Sequence, residues 1–339
     1  MSTFSRSDSN QDSQDPRLEI DYLLDTSAIE KDDVIEAIAG LKSTPKSIPP
    51  RYFYDRLGSQ LFEQICQLPE YYPTRTEASI LKQYASEIVS LTEAVELVEL
   101  GSGSSTKTRF ILDAYKQSDR PLYYTPVDVS DSILKLSAKD LLLEYPLLKI
   151  QGKVATYSQA LEQLSSYSLG RRTIIFLGSS IGNFNSHQCD RFITQLTKAL
   201  NPGDYFLLGI DLQKSSDILN AAYNDASGTT AAFNLNILQH LNNRFEGNFD
   251  LNLFRHQAIY NIALHQIEMY LISLQAQSLR LNKLDLTVDL KPGEAILTEI
   301  SRKFNLTQMK QYLGDRNLNL IQTYTDPQQW FGLLLCQMQ

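Results

Sequence analysis

Hydrophobic and polar positions follow two alternating periods along the middle of the chain. Short apolar runs rich in β-branched residues are each followed by a segment with helical spacing. The predicted strands are 95–100, 122–129, 149–155, 173–177 and 205–210, and the predicted helices are 78–91, 104–115, 132–143 and 187–200. Strands that alternate with helices of this length predict an α/β fold with a parallel sheet covered on both faces, where ligands bind at the carboxyl ends of the strands.

The pattern changes after residue 214. Residues 215–245 have mainly helical spacing, whereas 257–273 and 279–289 alternate as antiparallel strands do. We therefore expect a second, smaller α+β region that caps the first. At the other end, the chain begins with a stretch rich in Ser, Asp and Gln that lacks an apolar core, so we expect residues 1–25 to form a disordered tail without a secretory signal.

The composition narrows the class of ligand. The 339 residues carry a formal net charge of −8, so nothing supplies the basic face that nucleic acid or an anionic membrane requires. The cysteines and histidines lack the spacings of a disulfide framework or a metal site, and no apolar run reaches the length of about 20 residues that a bilayer requires. We therefore expect a cytoplasmic, monomeric protein with a small-molecule ligand and no metal, nucleic-acid or membrane partner.

A glycine-rich segment follows the first predicted strand of the α/β series. Residues 99–107, ELGSGSSTK, occupy a strand-to-helix turn, where small side chains let the backbone approach a ligand closely. A dinucleotide fingerprint would have a third glycine in place of Thr106, so a nicotinamide cofactor is disfavoured. Asp128 ends the next predicted strand, and its carboxylate can either accept both hydroxyls of a ribose or cap the following helix.

Three further segments carry groups that can bind a small molecule. Residues 51–77 combine six aromatic rings with seven charged groups in a stretch too irregular for one helix or strand. Asn183, in the sequence SIGN, can accept from an ammonium or donate to a carboxylate, although Gly-Asn also forms ordinary turns. Glu299 and Ser301 lie two residues apart in a predicted strand and therefore face the same way, as they would also on a solvated edge strand.

Taken together, these segments resemble the histidine-specific methyltransferases of ergothioneine biosynthesis, which convert L-histidine to its Nα-trimethyl betaine, hercynine. The resemblance runs from about residue 46 to the C-terminus and is carried, in chain order, by PKSIPPRYFYDRLGSQLF, LPEYYPTRTEASIL, ELGSGSSTKTR, FLGSSIGN, AAYNDASGTTAAFN, IEMYL and LTEISRKF. It implies a Rossmann-like class I methyltransferase domain that binds S-adenosylmethionine at 76–213 and 304–339. It also implies a discontinuous α+β substrate-binding domain at 26–75 and 214–303.

The same resemblance implies roles for individual residues. Those implied to bind S-adenosylmethionine, which leaves as S-adenosylhomocysteine, are Gly101, Lys107, Asp128, Thr156 and Tyr157. Those implied to bind the amino acid are Tyr71, Asn183, Tyr223, Met269, Glu299 and Ser301. Those implied to act in catalysis are Tyr54, Tyr71 and Asn183. The family has an Asp-Phe pair for the adenine where this chain has Thr156-Tyr157, and a threonine cannot supply a carboxylate.

Two rival functions stay open. Relatives with the same fold methylate the amine of indole amino acids such as tryptophan, but an indole pocket would not need Glu299 and Ser301 to serve the two ring nitrogens of an imidazole. A nicotinamide-dependent oxidoreductase or a non-catalytic nucleoside-binding module would use the glycine-rich turn alone. The missing third glycine and the lack of a recognisable acid–base pair argue against the oxidoreductase, and the presence of nearly every implied ligand argues against the binding module.

Overall fold

The computed structural model describes residues 15–24, 26–117, 122–164 and 170–339. The strands, in chain order, are β1 (Leu18–Tyr22), β2 (Lys46–Ser47), β3 (Glu96–Leu100), β4 (Leu122–Asp128), β5 (Leu148–Val154), β6 (Arg172–Phe176), β7 (Tyr205–Asp211), β8 (Phe254–Asn261), β9 (Gln266–Ser273), β10 (Gln277–Leu281), β11 (Leu286–Leu290), β12 (Ala295–Arg302), β13 (Leu318–Thr325) and β14 (Phe331–Met338). The α-helices are α1 (Thr26–Lys42), α2 (Arg56–Gln67), α3 (Tyr72–Thr92), α4 (Thr108–Gln117), α5 (Asp131–Glu144), α6 (Tyr157–Leu164), α7 (Ser186–Ala199), α8 (Ser216–Tyr223), α9 (Thr229–Phe245) and α10 (Leu306–Gly314).

The largest sheet has the spatial order β1-β5-β4-β3-β6-β7-β14-β13. Its strands from β1 to β7 run parallel, whereas β14 and β13 form an antiparallel hairpin beside β7. Every residue of β3, β6 and β7 is buried, as expected of parallel strands whose two faces are both covered. This sheet confirms the predicted Rossmann-like α/β class, and the C-terminal hairpin β13–β14 belongs to it.

The second region has a hydrophobic core of its own. It combines the sheet β2-β12-β9-β8 and the pair β10-β11 with the helices α1, α2, α8 and α9. Its buried apolar residues fall within 37–72 and 219–296, whereas two further cores involve the large sheet. This separation supports the predicted division between 26–75 with 214–303 and 76–213 with 304–339, and the exact boundaries stay a prediction.

The N-terminal segment departs from the expected tail. Disorder over residues 1–25 is wrong for Leu18–Tyr22, which forms β1 and pairs in parallel with β5 at the edge of the large sheet. The Arg17 guanidinium helps to anchor this strand by donating a hydrogen bond to a backbone carbonyl near the end of α5. The first 14 residues and residue 25 lie outside the described part of the chain.

The helix predicted from residue 104 begins later, at Thr108. The preceding loop contains Gly103 and Ser105 in left-handed conformations, with φ of 48° and 52°. A right-handed helix cannot continue through such residues, so the loop after β3 is longer than the pattern predicted.

The described residues contain neither a membrane-spanning helix nor a cluster of metal ligands. None of their helices is both long enough and apolar enough to cross a membrane. The same residues include no group of three or more His, Cys, Asp or Glu side chains that could hold a metal ion. The three cysteines are free thiols.

Candidate active site

A cavity of about 470 Å³, its open mouth included, lies between the four-stranded sheet β2-β12-β9-β8 and the carboxyl ends of β6 and β7. Six of the residues predicted to bind substrate or to act in catalysis line it: Tyr54, Tyr71, Asn183, Tyr223, Glu299 and Ser301. The remaining lining residues are Phe62, Pro73, Gly178, Ser179, Ser180, Asp211 and Lys303. The fold therefore brings together residues from five distant parts of the sequence.

Aromatic rings form one wall of this cavity. Tyr54 packs edge-on against Phe62 with ring centroids 6.0 Å apart, and Phe62 packs likewise against Tyr71 at 6.4 Å. Tyr71 then meets Tyr223 at 6.0 Å, again edge to face. Aromatic faces attract cations, each by about 0.5–2 kcal/mol. The wall is therefore suited to a substituted ammonium group.

Glu299 and Ser301 lie on β12, and both side chains face the cavity. The two-residue period of a strand accounts for their common direction. Burial raises the pKa of Glu299 to about 7, although the nearby charge of Lys303 lowers it in part. No described residue donates a hydrogen bond to the Glu299 carboxylate. The pair thus offers an acceptor and a hydroxyl side by side.

Asn183 is positioned by a 3₁₀ turn, Ser180–Asn183, that follows β6. This turn lies against the end of β12, where a Cβ atom on Gly182 would come 3.0 Å from the carbonyl oxygen of Arg302. Such a contact is tighter than a Cβ atom usually makes, so glycine favours this close approach, which brings Asn183 to the same cavity as Glu299. Within the described residues, the Asn183 amide has no hydrogen-bond partner, so it remains able to bind a ligand.

A buried polar cluster beneath the cavity was not singled out from the sequence. Asp211, at the end of β7, accepts hydrogen bonds from the Tyr72 hydroxyl at 2.8 Å and forms ion pairs with Lys214 and Lys303. Burial alone would raise the pKa of Asp211, but the two lysines outweigh that effect and the pKa is lowered. The signal available in the sequence was the spacing of Lys303, which continues the two-residue alternation of Glu299 and Ser301.

The glycine-rich loop after β3 is fixed by Asp128. One carboxylate oxygen accepts a hydrogen bond from the Gly103 amide and the other from the Ser130 amide, both at 2.9 Å. Burial raises the pKa of Asp128, and these two hydrogen bonds lower it in part. A carboxylate offers about four lone-pair sites, so Asp128 can cap the start of α5 and still accept from ribose hydroxyls.

Lys107 connects the glycine-rich loop after β3 to the cavity. Its ammonium pairs with the fully buried carboxylate of Glu77 on α3. The same carboxylate accepts from the Gly178 amide, at 2.8 and 2.9 Å to its two oxygens. Glu77 thus ties the loop after β3 to the loop after β6, and Lys107 is not a solvated side chain.

Thr156 and Tyr157 begin α6 close to the glycine-rich loop. The Thr156 hydroxyl oxygen accepts a hydrogen bond from the Gln159 backbone amide at 3.3 Å, and the Gln159 side chain accepts one from the Thr156 backbone amide at 3.1 Å, so Thr156 caps the start of α6. The Tyr157 ring packs edge-on against Phe176 with centroids 5.2 Å apart. Its hydroxyl lies 2.8 Å from the position that a Cβ atom of Gly101 would take. Contacts of Thr156 and Tyr157 with an adenine stay a prediction.

Met269 does not line the cavity, unlike the other residues predicted to bind the amino acid. It lies on β9 directly opposite Glu299 and is 1% exposed in the core of the second region. Residues that face each other across antiparallel strands project from the same side of the sheet. Met269 therefore supports the base of the site next to Glu299, and a direct contact with substrate stays a prediction.

A family model provides the decisive comparison. The model described as "Histidine-specific methyltransferase, SAM-dependent" matches residues 31–338, which include every residue lining the cavity. The chain belongs to this family. Membership confirms the predicted recognition and the enzyme class of an S-adenosylmethionine-dependent methyltransferase, and the oxidoreductase alternative is not favoured.

Individual relatives agree with the family. The chain is 43% identical to the histidine N-alpha-methyltransferase of Mycolicibacterium smegmatis over 88% of this chain and 92% of that protein. It is 42% identical to the protein of the same name from Mycobacterium tuberculosis over 88% of this chain and 93% of that protein. It is also 28% identical to ergothioneine biosynthesis protein 1 of Schizosaccharomyces pombe, over 82% of this chain and 37% of that longer protein.

Proposed function

We propose that this methyltransferase transfers three methyl groups in succession from S-adenosylmethionine to the α-amino group of L-histidine. The product is hercynine, and the reaction is the first step of ergothioneine biosynthesis. The observation that carries the proposal is the cavity itself, which Glu299 and Ser301 line together with Asn183 and the aromatic wall. The names of the M. smegmatis and M. tuberculosis relatives support the same substrate.

Glu299 and Ser301 bind the imidazole ring of the substrate. An imidazole has two ring nitrogens, so a carboxylate that accepts from one N–H and a hydroxyl that serves the other nitrogen satisfy both. A ring without these nitrogens would leave the carboxylate and the hydroxyl unpaired. Sites of this kind can reject such analogues by roughly 10⁴-fold. Selectivity for histidine over aromatic amino acids is therefore strict.

Tyr71, Asn183 and Tyr223 bind the α-amino and α-carboxylate groups of the substrate. Asn183 offers both a carbonyl and an amide, which suits an amine beside a carboxylate. S-adenosylmethionine, when bound by Gly101, Lys107 and the ribose-accepting Asp128, supplies a methyl carbon to the amine and keeps the bonding electron pair on its sulfur. The leaving group is neutral, so no general acid is required. Holding the amine in line with that carbon lowers the activation free energy of methyl transfer by roughly 7–11 kcal/mol.

The proton released in each round leaves through the mouth of the cavity. Burial raises the pKa of both Tyr54 and Tyr71 well above the ordinary range, so both phenols stay protonated near neutral pH. They therefore orient the amine through hydrogen bonds and do not act as phenolate bases. The Tyr54 residue as a whole is 51% exposed, so its desolvation is confined to the part that faces the cavity, and solvent water receives the proton.

Mass spectrometry tests the function directly. The protein is incubated with L-histidine and S-adenosylmethionine that carries a deuterated methyl group. We expect a product that contains three labelled methyl groups, all on the α-nitrogen by fragmentation. A parallel reaction with L-tryptophan addresses the indole alternative. Labelled tryptophan without labelled histidine, or no labelled product at all, would overturn the proposal.

A further inference from the structure

Lys303 is buried next to Ser301 and uses all of its hydrogen-bond donors. Its ammonium lies 2.8 Å from Oδ2 of Asp211, 3.0 Å from the Tyr223 hydroxyl and 2.9 Å from Oγ of Ser301. An ammonium has three N–H donors, so each one has a partner. Burial alone lowers the pKa of Lys303, but Asp211 outweighs that effect, and the raised pKa keeps the side chain charged.

The Ser301 oxygen consequently accepts two hydrogen bonds. The first comes from Lys303, and the second comes from the Tyr223 hydroxyl, which donates at 2.9 Å. A serine hydroxyl has two lone pairs and one hydrogen, so both lone pairs are in use. The hydrogen has no acceptor among the described residues, and Ser301 lines the cavity. A ligand bound in the cavity is therefore placed to accept it.

We propose that Lys303 is a positioning residue that makes Ser301 a hydrogen-bond donor only, so that the cavity selects a five-membered ring with a lone-pair nitrogen at that point. This inference rests on the proposed function, which it deepens. In L-histidine the ring is then a neutral imidazole, with its N–H toward Glu299 and its lone-pair nitrogen toward Ser301. A ring that presents C–H or sulfur to Ser301 leaves the hydroxyl hydrogen without an acceptor.

Lys214 offers a matched control within the same cluster. Its ammonium also pairs with Asp211 and donates to the Tyr72 hydroxyl at 2.7 Å, and its side chain is 5% exposed. Unlike Lys303, it contacts neither Ser301 nor Tyr223 among the described hydrogen bonds. The two lysines share burial and counter-ion, and they differ in the contact that the proposal requires.

The test compares the variants Lys303→Met and Lys214→Met. Calorimetric titrations in the presence of S-adenosylhomocysteine give the affinities for L-histidine and for 2-thienylalanine, whose five-membered ring has no nitrogen. We expect the preference of the wild type for L-histidine to fall at least tenfold in Lys303→Met, because the Ser301 hydroxyl can then turn away from the ligand. Lys214→Met should keep the preference within about twofold, and both variants should keep the affinity for S-adenosylhomocysteine.

Equal weakening of both amino acids in Lys303→Met would overturn the proposal, as would an equal loss of preference in Lys214→Met. If thermal melting shows that Lys303→Met is not folded, Tyr223→Phe provides the second test. Removal of the Tyr223 hydroxyl frees one lone pair of the Ser301 oxygen. Any contact of Tyr223 with the α-amino or α-carboxylate group is the same for L-histidine and 2-thienylalanine, so its loss cancels in the ratio of the two affinities. We expect at least a threefold loss of preference, and an unchanged ratio would overturn the proposal. A wild type without any preference for L-histidine would instead contradict the proposed function.

Discussion

The carboxylate of Glu299 faces the cavity without a hydrogen-bond donor from any described residue. Burial raises its pKa to about 7, so close to neutral pH its charge is only partly maintained. A buried carboxylate without a donor is costly, and a ligand that brings an N–H removes that cost. At the scale of single residues, we expect the imidazole N–H to supply the hydrogen-bond donor that the Glu299 carboxylate lacks.

Replacement of Glu299 tests that assignment. We predict that Glu299→Ala weakens the binding of L-histidine by about 10- to 150-fold, because a hydrogen bond to a charged group contributes about 1.5–3 kcal/mol. The affinity for S-adenosylhomocysteine should change by less than about twofold. Isothermal titration calorimetry with each ligand measures both quantities.

A neighbouring glutamate provides the control. Glu268 on β9 is paired with Ile300, so its side chain projects from the other face of the sheet. Glu268→Ala should leave the affinity for L-histidine unchanged. A similar loss for both ligands in Glu299→Ala would contradict the assignment of the imidazole to Glu299.

Asp128 should show the opposite preference. We predict that Asp128→Ala weakens the binding of S-adenosylhomocysteine at least tenfold, because both the ribose contact and the support of the Gly103 amide are lost. Titration of the variant with S-adenosylhomocysteine measures the change. Asp131→Ala, in the first turn of α5, is the control and should have no effect. An unchanged affinity in Asp128→Ala would reduce Asp128 to a structural cap.

At the scale of elements, β12 illustrates what a strand pattern can and cannot predict. The two-residue period predicts that Glu299 and Ser301 share a face, and the structure agrees. Lys303 follows the same period, but a lysine beyond the end of a strand is ordinarily solvated. Its partner Asp211 lies on β7, far away in the sequence, so only the folded chain reveals the contact.

The loop after β3 shows a second limit of local pattern. Its polar residues are compatible with an early helix, and the sequence predicted one from residue 104. The left-handed conformation of Gly103 accompanies the hydrogen bond that its amide donates to Asp128 on another strand. A hydrogen bond between a loop and a distant strand leaves no trace in the spacing of apolar residues. The left-handed residues of this loop delay the start of α4 to Thr108.

Gly209 on β7 is an element-scale constraint that can be tested. A Cβ atom there would lie 2.2 Å from Oε1 of Glu77, which is held by the Gly178 amide. We predict that Gly209→Ala lowers the free energy of unfolding by about 3 kcal/mol, since the carboxylate cannot retreat without losing that hydrogen bond. Urea denaturation followed by fluorescence measures the change.

The adjacent strand contains a suitable control for this substitution. Gly332 on β14 pairs with Ile210, and its Cβ atom would have ordinary contacts, the nearest at 3.6 Å. Gly332→Ala should therefore change the free energy of unfolding by less than about 1 kcal/mol. If the two substitutions destabilise the protein equally, the close approach of Glu77 is not the cause.

At the scale of the whole molecule, the cavity exists only because distant segments meet. The alternation of strands and helices predicts the large sheet, and the later change of pattern predicts a second region. Neither pattern indicates that Tyr54, Asn183 and Glu299 are neighbours. Their grouping came from the resemblance to a family, because long-range contacts leave no periodic signal in one sequence. The expected tail failed for a similar reason, since β1 is stabilised by pairing with the distant β5.

The stability of the ligand-free protein should depend on the ionisation of Glu299. Burial raises the pKa of this group from 4.5 to about 7, so between these values the folded state binds more protons than the unfolded state. The associated stability is fully present below pH 4.5 and is lost as the pH rises through 7. We predict that Glu299→Gln reduces the fall in the free energy of unfolding between pH 5 and pH 8 by about 2 kcal/mol. Urea denaturation at both pH values provides the measurement.

The same experiment on Glu268→Gln separates this effect from a general change of charge. Its fall in stability between pH 5 and pH 8 should match that of the wild type. Parallel profiles for the wild type and Glu299→Gln would mean that Glu299 is not desolvated in the free protein.

The helix α3 contacts both the residues that line the cavity and the glycine-rich loop after β3. Near its start, the Tyr72 hydroxyl donates a hydrogen bond to Asp211, which lines the cavity, and about one and a half turns later Glu77 pairs with Lys107 of the glycine-rich loop. An unbroken helix holds these two points about 7.5 Å apart along its axis. A substitution that shifts or rotates α3 should therefore disturb the contact with Asp211 and the contact with Lys107 together. A change in the cavity that moves α3 should accordingly also shift the glycine-rich loop after β3.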